Sequence, residues 1–208
     1  MIDIIDNALP DWLFQEVEHV AKKKIPLLAG PTATDKDPYW SFGKPVEYED
    51  IGGETLFLSF LAFAKDYNAK ELIRARVGLI PRDIKYTITG PHIDNRNPHT
   101  VGLLYLDDCD GETYIYKNRF DWDFDWKKNI PEEELNQMSK TESGCILYAE
   151  HKGWSFDKNP DGNYKDFEIE EKVMPKKNRL VVFDGSHFHA SSTPTTQQMR
   201  WAINYNFR

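Results

Sequence analysis

Asn178-Arg-Leu-Val-Val-Phe-Asp-Gly-Ser-His-Phe-His-Ala-Ser-Ser-Thr-Pro194, continued by Met199-Arg-Trp-Ala-Ile-Asn-Tyr-Asn-Phe207, decides how this chain is read. Residues 180–183 are an apolar run of strand length. Asp184-Gly185-Ser186 has the chemistry of a turn, and residues 199–207 alternate large apolar with polar side chains at period two. Two strands and a turn follow from that pattern, with His187, His189 and Arg200 as polar groups set beside buried runs. Far upstream, Pro91-His-Ile-Asp94 spaces a histidine and a carboxylate two residues apart, which puts both on one face of an extended segment.

Working outward, strands dominate from residue 71 to the end. Period-two or short apolar patterns predict them at 72–80, 82–89, 100–106, 112–116, 144–150, 167–174, 180–183 and 200–207. The first 70 residues read differently. Pro10-Asp11 followed by Trp12, Leu13, Val17, Val20 and Ala21 predicts an amphipathic helix, with proline at its first turn and Lys22-Lys23-Lys24 at the end where positive charge is favoured. Leu56, Phe57, Phe60, Leu61, Ala64 and Tyr67 predict a second helix over 54–68 whose wide apolar stripe packs flat on a sheet. Residues 25–50 read as loop and short strand, and 131–135 as a short helix with acids at its N-terminal end. Helices followed by many short strands define an α+β, mainly β fold with a rolled or sandwiched antiparallel sheet, in one domain spanning 1–208. Two long interruptions, 117–143 and 151–166, have the length of lids or binding loops.

Two histidines and a carboxylate on one face of a metal, with the opposite positions open, make the arrangement of non-haem Fe(II) oxygenases. His92, Asp94 and a distal histidine can supply it. Spacing leaves open which of His187 and His189 is the distal one, because both share parity on an extended segment. At this point the chain resembles the 2-oxoglutarate and Fe(II)-dependent dioxygenases, in particular their prolyl-hydroxylase-like branch. The resemblance covers roughly residues 85–207 and includes Asp110-Gly-Glu-Thr113, similar to the family's Gly-Gly-Glu-Thr turn. It selects His189, which is followed by small residues and Pro194, and it makes Arg200, eleven positions later, the partner of the distal carboxylate of 2-oxoglutarate. It also implies a double-stranded β-helix, or cupin-like jelly roll, over 71–208 backed by the N-terminal helices. The implied activity is a hydroxylase that uses Fe(II), 2-oxoglutarate and O2, releases succinate and CO2, and oxidises an unactivated C–H of a small molecule or peptide residue.

The chain departs from the family pattern at two places. Ala202 stands where a serine or threonine usually supports the arginine, and Thr89 where many members carry a tyrosine that reaches the cosubstrate. Tyr86, Tyr105 and Tyr114 are candidates for the missing phenol. Tyr105, on the strand after the His-x-Asp segment, is taken, as a donor to the same carboxylate. A Zn(II) hydrolase is a second reading of the same ligands, but it lacks a His-Glu-x-x-His helix and leaves Arg200 without a purpose. A jelly-roll binding module with a residual metal site is a third.

Composition agrees with a folded enzyme. The chain is 40% hydrophobic and 13% aromatic over 208 residues, enough for one sizeable core. A net charge of −8 argues against a nucleic-acid-binding surface. No apolar run approaches membrane-span length and the start lacks the basic residues of a signal peptide, which predicts a cytoplasmic protein. Cys109 and Cys145 are expected to be reduced thiols, His99 structural, and His19 a solvated residue of the first helix.

Overall fold

The computed structural model describes residues 1–31, 40–137 and 142–208. In it the period-two runs become two antiparallel sheets, with strands numbered here along the chain. The larger has the spatial order β1 (Ile2–Asp6), β8 (Arg179–Asp184), β5 (Thr100–Tyr105), β10 (Met199–Phe207), β4 (Leu72–Pro81), β3 (Trp40–Val46) and β2 (Leu28–Pro31). The smaller runs β7 (Ile169–Val173), β6 (Thr113–Arg119), β9 (His187–Ser191).

Alternation sorts the large sheet's side chains between two environments. Val77, Leu104, Val182, Ile203, Tyr205 and Phe207 pack on one side with Val17 of α1 (Asp11–Lys23) and with Leu56, Phe60 and Phe63 of α2 (Gly53–Ala64). The stripe predicted for the second helix is therefore real, although Leu61 is exposed. Val101, Leu103, Tyr105, Val181, Phe183 and Ala202 pack on the other side, with Ile115 and Val173 of the small sheet. A third cluster, rich in aromatics, joins Tyr114, Tyr116 and Phe188 of the small sheet to Phe120, Phe124 and Tyr148. It absorbs most of the long 117–143 interruption, which carries α3 (Trp126–Asn129) and α4 (Glu132–Gln137), the latter close to the predicted acidic helix. Residues 138–141 of that interruption lie outside the described residues.

Three expectations are corrected. The strand predicted at 144–150 is the body of a helix, α5 (Glu142–His151). A short apolar run does not distinguish a strand from a buried helix, and here Cys145, Tyr148 and Ala149, at helical spacings of three and four, are the buried positions. The strand predicted at 82–89 is irregular chain, bent at Ile84–Lys85, whose one β-bridge is Ile88–Ser192, and Ile84 stands fully in solvent. Its alternation had no partner strand to pair with. Residues 187–191, read as the sequel to a turn, form a strand in their own right, β9. The fold is thus mainly β, with antiparallel sheets, five α-helices among the described residues and the longest two near the N-terminus. No described helix is long and apolar enough to cross a membrane.

Candidate metal centre

Two backbone hydrogen bonds assemble the site. His92 N donates to His189 O at 3.0 Å and His189 N donates to His92 O at 2.9 Å, an isolated antiparallel bridge between segments almost a hundred residues apart. Directly opposed residues in such a pair project to the same side. The two imidazoles accordingly lie with ring centroids 4.5 Å apart. Asp94, two residues beyond His92, has the same parity and joins them. One ligand atom from each of His92, Asp94 and His189 lies within 4.8 Å of the other two. The predicted triad is brought together.

Hydrogen bonding orients each member toward the shared space. Nδ1 of His92 lies 3.0 Å from Gly90 O, and Nδ1 of His189 lies 3.1 Å from His187 O. A carbonyl oxygen only accepts, so each Nδ1 carries the proton and each Nε2 presents a lone pair, the tautomer a metal requires. Burial, with a smaller contribution from His92, depresses the pKa of His189 to about 4 against the pull of Asp94, so this ring is neutral around pH 7. Asp94 is gripped by three side chains. Arg74 Nη2 donates to Oδ1 at 2.9 Å, and the amides of Asn204 and Asn206 donate to Oδ2 at 2.9 and 3.0 Å. Burial alone would raise its pKa, but His189, Arg74, His92 and the Asn204 amide outweigh burial and hold it well below the usual carboxylate range. Two lone-pair imidazoles and a fixed carboxylate fit a divalent first-row metal.

The triad lines a cleft whose wall also includes Thr89, Thr113, Arg200 and Arg76. Arg200 is buried at 4% exposure. Its Nε donates to Gly111 O and its Nη2 to Thr113 Oγ1, both at 2.7 Å, while the guanidinium sits 5.4 Å from the centroid of the Tyr105 ring. The Asp110-Gly-Glu-Thr113 turn therefore has a definite job. Asp110 accepts from Thr195 and Thr196, pinning the loop before β10, and Thr113 receives the arginine. Gly111 is obligatory in this packing, because an added Cβ would lie 2.8 Å from Ser192 O and 2.9 Å from Arg200 Cδ.

The remaining predicted residues sort clearly. Thr89 is buried in the cleft wall, and its Oγ1 accepts from Ser191 N at 2.9 Å. Tyr105 is fully buried beneath Arg200, its hydroxyl donating to Thr113 Oγ1 at 2.7 Å. Tyr86 and Tyr114 bond each other and Glu112. His187 is buried with Nδ1 2.8 Å from Tyr116 O and is not among the clustered ligands. His99 is buried against Trp122 and His19 is exposed, as expected. Both cysteines are buried free thiols. Sequence reasoning missed Thr113, Arg74, Asn204 and Asn206. Parity was the available signal: Arg200, Ala202, Asn204 and Asn206 share one face of β10, and two amides on a buried face need partners.

Solved structures with this architecture are numerous. A prolyl hydroxylase from Trichoplax adhaerens, in complex with a hypoxia inducible factor oxygen degradation domain peptide fragment, superposes with a TM-score of 0.59 at 14% identity, over 99% of this chain and 82% of that one. An oxidoreductase of the 2OG-Fe(II) oxygenase family from Burkholderia pseudomallei gives 0.61 at 11% identity, over 99% and 84%. HygX from Streptomyces hygroscopicus, with nickel and 2-oxoglutarate bound, gives 0.55 at 9% identity, over 99% and 82%. At these identities the likeness establishes the fold, that of the jelly-roll-like 2-oxoglutarate and Fe(II) oxygenases. No curated protein matches the chain in sequence. The model of DUF6445, a family of unknown function, matches residues 60–202, well over half of the chain and inclusive of His92, Asp94, His189 and Arg200, and the chain belongs to that family.

Proposed function

We propose that this protein is an Fe(II)- and 2-oxoglutarate-dependent dioxygenase of the prolyl-hydroxylase-like branch. It hydroxylates an unactivated C–H of a small molecule or peptide residue and releases succinate and CO2. The observation that carries the reading is one cleft that holds three convergent metal-type ligands and, apart from them, a buried arginine. In this reading residues 1–208 form one domain whose sheets are a double-stranded β-helix over 71–208, backed by the helices of 1–70.

His92, Asp94 and His189 hold the metal from one side, each fixed by the hydrogen bonds described above. Arg200 takes the far carboxylate of 2-oxoglutarate. Two of its five N–H donors hold it to Gly111 and Thr113, and the guanidinium still lines the cleft. Thr113 supplies the hydroxyl that Ala202 lacks, and Thr89 flanks the same space. Bound Fe(II), with 2-oxoglutarate and O2, supplies the oxidising power for attack on the C–H bond. The chain's own part is to orient, to screen the site from bulk water and to keep His189 neutral.

The experiment is to incubate the aerobic protein with 2-oxoglutarate and each of Fe(II) and Zn(II), and to follow succinate. Succinate formation that needs Fe(II) and disappears in His189→Ala is the expected result. A zinc hydrolase or a metal-free binding module gives none with either metal.

A further inference from the structure

We propose that Arg74 biases a bound iron toward the ferrous state, acting on it through Asp94. The inference rests on the oxygenase reading above and deepens it at the same site. A reaction that starts from Fe(II) stops when the resting ion is Fe(III), so a side chain that favours the ferrous form protects the activity without touching a reacting atom.

Register sets the arrangement. Arg74 of β4 pairs with Asn206 of β10, and Asn204 lies two residues back on the same face of that strand. The Asp94 carboxylate meets all three side chains. Its Oδ2, 3.6 Å from His189 Nε2, is the oxygen nearer that imidazole, and it accepts from the neutral amides of Asn204 and Asn206. Its Oδ1 accepts from the Arg74 guanidinium at 2.9 Å. The two oxygens therefore have different partners, dipoles on one and a full positive charge on the other.

That charge meets no second anion. Asp94 is the one acid that Arg74 touches among the described residues, and the buried Nε of Arg74 has no hydrogen-bond acceptor there. Asp94 is also the one acid among the described residues that line the cleft. The Asp94 side chain is 8% exposed and that of Arg74 31%, so water screens the pair only in part. Two amides already hold Asp94 in place, and a third neutral donor would hold it as well. What a cation adds is its field. By Coulomb's law a positive charge repels an ion in proportion to the ion's own charge, half again as much for Fe(III) as for Fe(II). Drawing on Oδ1 also reduces the negative charge that the carboxylate offers a metal, and such outer partners tune reduction potential. Both effects favour the ferrous ion.

The test binds Fe(II) anaerobically to wild type, Arg74→Gln, Arg74→Lys and Arg74→Met, with Mn(II) titrations to show that the site fills in each. The ferric fraction is then read by electron paramagnetic resonance during a redox titration, in which mediators supply and remove the single electron. Glutamine keeps an N–H donor and loses the charge, whereas lysine keeps the charge and loses the planar fork. At a fixed solution potential, Arg74→Gln and Arg74→Met are expected to raise the ferric-to-ferrous ratio roughly ten-fold or more over wild type, a fall in midpoint of about 59 mV, while Arg74→Lys stays within roughly three-fold. A glutamine variant with the wild-type midpoint overturns the proposal, because a neutral donor then suffices. A lysine variant shifted as far as glutamine overturns it too, since the placement of Asp94 and not the charge would then be the cause. Arg74→Met decides in the same way if the glutamine variant does not fold. A wild type that binds no iron defeats the oxygenase reading itself, whereas iron that binds with the same midpoint in every variant defeats this inference alone.

Discussion

Arg200 Nη2 and the Tyr105 hydroxyl both donate to Thr113 Oγ1, each at 2.7 Å, so one buried threonine oxygen fixes the cation that faces the cleft. Ala202, two positions along β10 from Arg200, offers no hydroxyl, and the one that meets the guanidinium comes from β6. Thr113→Val keeps the shape and removes the acceptor. A hydrogen bond to a charged group contributes about 1.5–3 kcal/mol, so affinity for 2-oxoglutarate should fall roughly ten- to a hundred-fold, with metal affinity unchanged and Thr113→Ser close to wild type. Calorimetric titration with 2-oxoglutarate checks this.

Gly111 separates space from conformation. The Cβ of Gly111→Ala would press on the Ser192 carbonyl at 2.8 Å and on Arg200 Cδ at 2.9 Å, and the carbonyl belongs to backbone tied to Glu112. Overpacking of this kind costs about 1–3 kcal/mol. Thermal melts should show that loss of stability, and 2-oxoglutarate binding should weaken along with it because the arginine stem is displaced.

Asn206 is almost completely buried and donates to Asp94 Oδ2 at 3.0 Å. Asn206→Leu preserves volume but releases one restraint on the proposed metal ligand. Partners of this kind affect metal affinity by roughly 10–100-fold. A Mn(II) titration followed by electron paramagnetic resonance should show a loss of that order, without the loss of fold expected of a cavity mutant.

His189 makes stability depend on pH. Its pKa falls from the ordinary 6.5 to about 4 on folding, mainly through burial. Between those values the unfolded chain binds the proton and the native chain does not, so stability rises with pH across that window. The metal-free protein should therefore hold this contribution fully above about pH 6.5 and lose up to roughly 3 kcal/mol as pH falls toward 4. Melting temperatures of wild type and His189→Gln, measured from pH 7 to 4, should converge at the acid end.

Much of this was legible in the sequence because the decisive signals are local. Period two in 199–207 and the His-x-Asp pair each name a face without needing a partner. Tertiary pairing decided the rest. Residues 82–89 alternate as well as any strand yet form only one bridge, and residues 144–150 are apolar enough for a strand yet wind into α5. Nothing in either segment says which neighbour awaits it. Thr113 stands within the Gly-Glu-Thr turn, but its contact with Arg200 spans 87 residues and depends on how the two sheets face each other. Arg74, Asn204 and Asn206 stayed hidden for the same reason, since a donor on a strand is identified only by the carboxylate it meets.

The claim on which the account turns is that His92, Asp94 and His189 bind one metal beside 2-oxoglutarate. Anaerobic addition of Fe(II) and 2-oxoglutarate to the purified protein, followed by visible absorption, tests it most directly. The account predicts a weak charge-transfer band that saturates at one Fe(II) per chain and is absent in Asp94→Ala. A wild-type protein that gives no band, or an Asp94→Ala variant that keeps it, would contradict the account.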